Sequence, residues 1–286
     1  MKLGYFGIGF GPCADPDTAI RVAQAAEGAG FESLWTGEHV VLPDPQVPPS
    51  PAPPGMAMLD PGTILAFVAA VTRKVRFGTG IVILPQRNPL VIAKEMASLD
   101  VLSGGRLLFG VGVGYLRAEF DALGIPFDEK GARTDDYLAA IVALWTQEKP
   151  VHQGPFVSFS GVDAHPRPVQ KPHPPIVIGG QSQGAFRRAV RRGQGWYGFL
   201  NDLEATRRAL AGLEEAAKEV ERPEELPPLE ISITPPPGLD LDMARRYEDL
   251  GVHRLIPLSL VRSGDGVVEF VQRTGEALAP ITTAPV

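Results

Sequence analysis

The chain is poor in the residues that would staple it or hold a metal. Its 286 residues include one cysteine, Cys13, and five histidines. A single cysteine excludes an internal disulfide and fits a reducing compartment. His39, His152, His165, His173 and His253 have no metal-ligand spacing with one another, with Cys13 or with a carboxylate. No metal site is expected. No run approaches about 18 uninterrupted apolar residues, so no membrane span is expected either. Met1-Lys2-Leu3-Gly4-Tyr5-Phe6-Gly7 reads as a strand entering a glycine rather than as a signal peptide, which points to a cytoplasmic protein. Positive charge is in deficit, with 27 Lys and Arg against 33 Asp and Glu and a net charge of −6. That balance argues against nucleic acid or an anionic membrane as partner. The densest basic cluster, Arg187, Arg188, Arg191 and Arg192, has the spacing of one solvated helix face. Walker loops and a Ser-His-Asp order are absent. Gly7, Gly9 and Gly11 miss the dinucleotide spacing, because Pro12 to Pro16 stands between them and the next helix.

What is present is an ordinary hydrophobic fraction of 44% and an unusual 29 prolines, many in Pro43–Pro61 and Pro166–Pro175. Both proline stretches read as restricted loops, since regular elements resume directly after each. Short apolar runs alternate with helical patterns. The runs are Leu3–Ile8, Ser33–Thr36, Val75–Leu84, Arg106–Val113, Pro175–Ile178, Trp196–Leu200, Leu229–Thr234 and Arg254–Leu260. Each is nearly all apolar, as strands covered on both faces must be. Eight strand–helix units in about 250 residues predict a single (β/α)₈ TIM barrel over 1–286, with insertions after strands 2 and 4. Phe156–Val162 is expected to form a hairpin or flap. An open doubly wound sheet is the alternative fold.

Barrel enzymes carry their chemistry at the C-terminal ends of the strands. There the sequence offers few ionisable groups and many glycines. Glu38 and His39 end strand 2; a histidine there could act as acid or base, or simply bond to loop backbone. Gly78-Thr79-Gly80-Ile81 lies in strand 3 and Gly110-Val111-Gly112-Val113-Gly114-Tyr115 ends strand 4. Such glycines either leave room for a planar ligand or serve a bulge and tight packing. Gly179-Gly180-Gln181-Ser182 precedes a helix; it is either an anion site or a plain turn capped by Ser182. A glycine-lined rim with little else suits a cofactor that supplies the chemistry itself.

These residues resemble the luciferase-like monooxygenase superfamily. The likeness is carried by Glu38-His39, Gly78-Thr79-Gly80 with Leu84-Pro85, Leu99-Asp100-Val101-Leu102-Ser103-Gly104-Gly105-Arg106, Gly110 to Gly114, Arg167 to Pro175 and Gly179-Gly180. It covers roughly Lys2 to Trp196, and the nearest branch looks like the F420-dependent oxidoreductases of mycobacteria and related actinobacteria. The resemblance implies an oxidoreductase that binds coenzyme F420, or alternatively FMN, at the C-terminal rim. It implies a non-proline cis peptide at Gly80–Ile81, against which the ring packs. Cofactor contacts would come from Gly7, His39, Thr79, Gly80, Ile81, Gly112, Gly114, Tyr115, Gly179, Gly180, Gln181 and Ser182, with His39 and Glu38 as the catalytic pair. The partners implied are a small organic substrate, a second copy in a homodimer, and a separate reductase in the FMN case. Phe67, Val68, Val71 and Met96 are the candidate apolar outer face. The chain departs from the deazaflavin-dependent sugar-phosphate dehydrogenases in carrying Tyr115 where they have an acid, and Val40, Val41 and Leu42 where they have an aromatic. Three functions therefore stand: hydride transfer with F420, FMN-dependent oxygenation, and a degenerate barrel that only binds a ligand or partner.

Overall fold

The computed structural model describes residues 1–283. Eight strands form one parallel sheet: β1 Lys2–Phe6, β2 Ser33–Thr36, β3 Arg76–Thr79, β4 Leu107–Gly112, β5 Ile176–Gly179, β6 Gly195–Phe199, β7 Glu230–Thr234 and β8 Arg254–Leu255. Each pairs with the next, and β8 pairs back to β1 through Lys2–Arg254 and Leu3–Leu255. The sheet is therefore a closed (β/α)₈ barrel, not an open doubly wound one. The surrounding helices are α1 Pro16–Gly28, α2 Pro61–Ala69, α3 Pro89–Ser103, α4 Arg117–Ala122, α5 Lys130–Thr146, α6 Gln183–Arg192, α7 Leu203–Glu219, α8 Leu241–Asp249 and α9 Gly264–Leu278.

The two largest departures from the expected strand bounds lie at the functional end; the other strands shift by one or two residues. The run from Val75 to Leu84 breaks after Thr79, resumes as Val82–Ile83 and ends in a 3₁₀ turn. Across the break the ladder to β4 is lost between Gly78–Leu108 and Val82–Val111. Thr79 replaces it: its hydroxyl donates to the Gly110 carbonyl (2.6 Å) and accepts from the Gly110 N–H (2.7 Å). Strand 8 ends at Leu255, because Pro257 cannot donate to a ladder. The inserted hairpin pairs His152–Gln153 with Ser158–Phe159, earlier than expected. It is pinned to α5 by Asp136, which accepts from His152 Nε2 (2.7 Å), Phe156 N–H (2.9 Å) and Val157 N–H (3.1 Å).

The barrel interior is layered. At its N-terminal end a wholly buried Arg254 pairs with Glu32 (both contacts 3.0 Å) and with Glu230. Above it Trp35 stacks on Tyr197, ring centroids 5.6 Å apart. Phe6, Leu108, Val177 and Ile256 complete this inner apolar layer, with Ile81, Phe10 and Leu258 packed on it and half-buried. Outside, helices cover the sheet through a continuous core. Arg188 does not lie on a solvated face: it is buried, donating to Asp135 at 2.7 Å, so only its neighbours form the exposed basic strip.

Candidate active site

Gly179 and Gly112 flank the side chain of Ile81. A Cβ on either glycine would come within 2.7 Å of an Ile81 carbon. The room beside Gly112 is thus filled by Ile81. The room beside Gly114 is filled by Ile83 and Phe120, that beside Gly78 by the Trp35 ring, and that beside Gly110 by Thr79. This corrects the picture of an open slot along β4. The glycines let protein pack closely, and the half-buried Ile81 side chain, packed on the inner layer that holds Phe6, is part of the apolar surface at the mouth. The Gly80–Ile81 peptide is cis. Phe199 rims the same surface, its ring 5.0 Å from Phe6, and stands 41% exposed.

Directly beyond Gly179, Gly180 turns with φ of +114°, a conformation that L side chains rarely adopt. Gln181 bonds to Asn201 through Nε2–Oδ1 at 2.6 Å, and Ser182 caps α6 by accepting from Ala185 N–H. The first turn of α6 carries no acidic residue. The amides of Gln183 and Gly184 have no intrahelical acceptor, as in any helix start. The turn is exposed and suits an anion. Because Gly179 lies against Ile81, an apolar side chain and an exposed helix-start turn adjoin. A tricyclic ring with a phosphate tail fits that pairing.

His39 follows β2 at the same rim. Its Nδ1 lies 3.2 Å from Oε2 of Glu119, and its Nε2 lies 3.4 Å from the Tyr115 hydroxyl. Glu119 is wholly buried and also accepts from Val40 N–H at 2.6 Å. Burial, and then the nearby Glu119 charge, raise the Tyr115 phenol above its ordinary pKa. Glu119 escaped the sequence reading. Its place four residues after Tyr115 was the available signal, but its burial against the end of β2 depends on the packing of α4. Glu38 faces elsewhere. It accepts from Ile83 N–H (2.6 Å), from Arg87 Nε (2.9 Å) and from Arg87 Nη2, and Arg87 also reaches Asp60. Burial raises its carboxyl above the usual range although Arg87 opposes the shift. Its oxygens are committed to tying β2, the resumed β3 and α2 together. Gly7 forms the turn after β1, donating to Trp35 O, and Thr79 is buried in the ladder repair described above. Cys13 is buried with its thiol pushed up to about 11 by desolvation, so it is no nucleophile at neutral pH.

The proline-rich loop covers one side of this rim. Leu59 N–H donates to Gly9 O, and Gly11 N–H to Ala57 O. Between loop and rim lies a pocket of about 120 Å³ lined by His39, Val40, Val41, Leu42, Pro54, Met56 and Met58. Among the described residues no cluster of three or more His, Cys, Asp or Glu could hold a metal, and no helix is long and apolar enough to cross a membrane.

Residues 4–272 match the luciferase-like monooxygenase family. The chain belongs to that family. It is 30% identical over 273 residues to the uncharacterized protein Rv0953c of Mycobacterium tuberculosis, covering 92% of this chain and 94% of that one. It is 31% identical over 179 residues to the oxygenase component of the flavin-dependent trigonelline monooxygenase of Acinetobacter baylyi, covering 62% of this chain and 46% of that one. In fold it resembles an F420-dependent secondary alcohol dehydrogenase solved with an F420–acetone adduct, at a TM-score of 0.81 over 99% of each chain and 15% identity. Luciferase-like relatives are thus oxidoreductases or monooxygenases that use a flavin or F420. The residues that carry the family likeness fall into two groups. Glu38, His39, Gly80 and Gly179-Gly180 build the mouth. The Leu99–Arg106 and Arg167–Pro175 runs meet at the opposite end: Asp100 accepts from Val169 and Gln170 N–H, and Arg106 donates to Ala69 and Val75 carbonyls. These last motifs tie the start of β4 to neighbouring loops at the end of the barrel away from the mouth.

Proposed function

We propose that the chain is a hydride-transferring oxidoreductase that uses coenzyme F420 on a small organic substrate. The observation that carries this reading is the adjacency of the Ile81 surface and the Gly180–Ser182 turn, at a rim where His39 is one of few ionisable groups. Gly80, Ile81, Gly112 and Gly179 would support the ring, Gly7 and Gly114 would shape the turns around it, and Gly180, Gln181 and Ser182 would hold the phosphate. A bound deazaflavin or flavin supplies the two-electron chemistry. His39 orients the substrate or exchanges a proton with it, and Tyr115 stands beside it. Glu38 serves by holding the Ile83 amide and Arg87 rather than by touching substrate. The small pocket next to His39, between the proline-rich loop and the rim, is where a small substrate group would sit.

FMN-dependent oxygenation is the second reading, favoured by the likeness to an oxygenase component; a separate reductase would then be the partner. A fluorescence titration of the purified chain with F420 and with FMN separates the two. Tight F420 and weak FMN binding supports the first reading, the reverse supports the second, and binding of neither leaves a barrel without this chemistry. His39→Ala is expected to lower turnover about 100-fold while cofactor affinity holds; unchanged turnover removes His39 from the mechanism.

A further inference from the structure

Glu119 reaches the mouth only through another residue. An ionised carboxylate can accept hydrogen bonds but not donate them. One oxygen of Glu119 is taken by the Val40 amide and the other faces His39 Nδ1. No Lys or Arg pairs with it among the described residues, and its side chain is wholly buried. An imidazole with its proton on Nε2 would turn an Nδ1 lone pair against a buried carboxylate. That arrangement leaves both groups unsatisfied where no water can compensate. On the other side of the ring, the Tyr115 hydroxyl stands 3.4 Å from Nε2, the two rings meeting edge to face at 84°. Tyr115 is half-exposed, so it can swing away at little cost.

We propose that Glu119 is a positioning residue that locks His39 with its proton on Nδ1, so that Nε2 meets the mouth as a hydrogen-bond acceptor, and that the Tyr115 phenol occupies this acceptor until a ligand displaces it. The kinetic part rests on the functional reading above; the tautomer does not. Neutral His39 is then an acceptor at Nε2, and any group it first engages must bring a proton of its own.

The test uses the full chain without cofactor, labelled with ¹⁵N-histidine. Long-range ¹H–¹⁵N spectra are recorded at alkaline pH, where imidazoles are neutral, with His39 assigned by loss of its signals in His39→Gln. The wild type is expected to show a protonated Nδ1 and a bare Nε2. In Glu119→Gln the side-chain carbonyl keeps the Val40 amide, its NH₂ turns to Nδ1, and the proton moves to Nε2. Tyr115→Phe keeps the wild-type tautomer and shifts only the Nε2 resonance. A wild-type proton on Nε2, an unaltered tautomer in Glu119→Gln, or an unmoved Nε2 in Tyr115→Phe each overturns the proposal. If Glu119→Gln does not fold, the wild-type and Tyr115→Phe spectra decide. In turnover, Glu119→Gln lowers kcat about tenfold or more with KM and cofactor affinity held; a flipped tautomer with full kcat refutes the positioning role. Failure of the wild type to bind F420 or FMN would sink the functional reading and leave the spectra intact as a test of the tautomer.

Discussion

At the scale of single residues, the barrel separates charge for structure from charge for chemistry. Arg254 and Glu32 are buried at the N-terminal end, away from the mouth, with the half-buried Glu230 beside them. Burial alone would raise both carboxyls, but the Arg254 guanidinium outweighs it and holds each below its ordinary pKa. A carboxyl lowered on folding stabilises the protein above its unfolded pKa, about 4.3 for Glu, and loses that contribution as pH falls through the lower folded value. Urea unfolding of the wild type is therefore expected to show stability dropping as pH falls below about 4.3, with a shallower drop in Glu32→Gln. At pH 7 the same variant should lose on the order of 3 kcal/mol, because a buried Arg is left short of a partner. Equal stability of the two proteins at pH 7 would mean that Glu230 alone satisfies Arg254. His39 is the opposite case. It sits largely buried between a carboxylate and a phenol, where β2 ends at the C-terminal rim.

At the scale of elements, the two insertions are attached differently: the proline-rich loop by backbone hydrogen bonds to Gly9 and Gly11, the hairpin after α5 by a side chain. The hairpin after α5 has only two paired residues on each strand, too few to stand alone. Asp136 on α5 supplies three hydrogen bonds to it, two of them from the Phe156 and Val157 amides. Asp136→Ala is expected to speed hydrogen exchange at those two amides by about tenfold or more while the exchange of β4 and β5 amides is unchanged. Uniform acceleration across the barrel would show instead that the hairpin is part of the global folding unit. The break in β3 follows the same logic. The Thr79 hydroxyl replaces the missing backbone pairing, and Val82 resumes it. A continuous strand would leave no place for Ile81 to turn its side chain between Gly112 and Gly179.

At the scale of the whole molecule, the outer surface of α2 and α3 differs from the face expected of it. Val68 and Met96 are buried against the barrel, because helix periodicity turns them inward. Phe67, Val91, Val101 and Leu102 are the large apolar residues left exposed, Leu102 at 73%. We propose that this face meets a second copy. Sedimentation at micromolar concentration is expected to give a dimer that Phe67→Glu dissociates; a monomeric wild type would rule the homodimer out.

The sequence by itself determined the order of strands and helices, the barrel they build and the rim where chemistry belongs, because these follow from apolar patterning and from turn residues such as Gly179-Gly180. It also picked out His39, which ends a strand at the rim. Tertiary structure alone decided what fills the space beside the glycines, since a missing Cβ says that something comes close but not whether it is Ile81, Trp35 or a ligand. It decided too that Glu38 serves Arg87 and that Glu119 serves His39. Both are carboxylates next to the same histidine in space or in sequence, and only the packing of α4 against the end of β2 assigns them their partners.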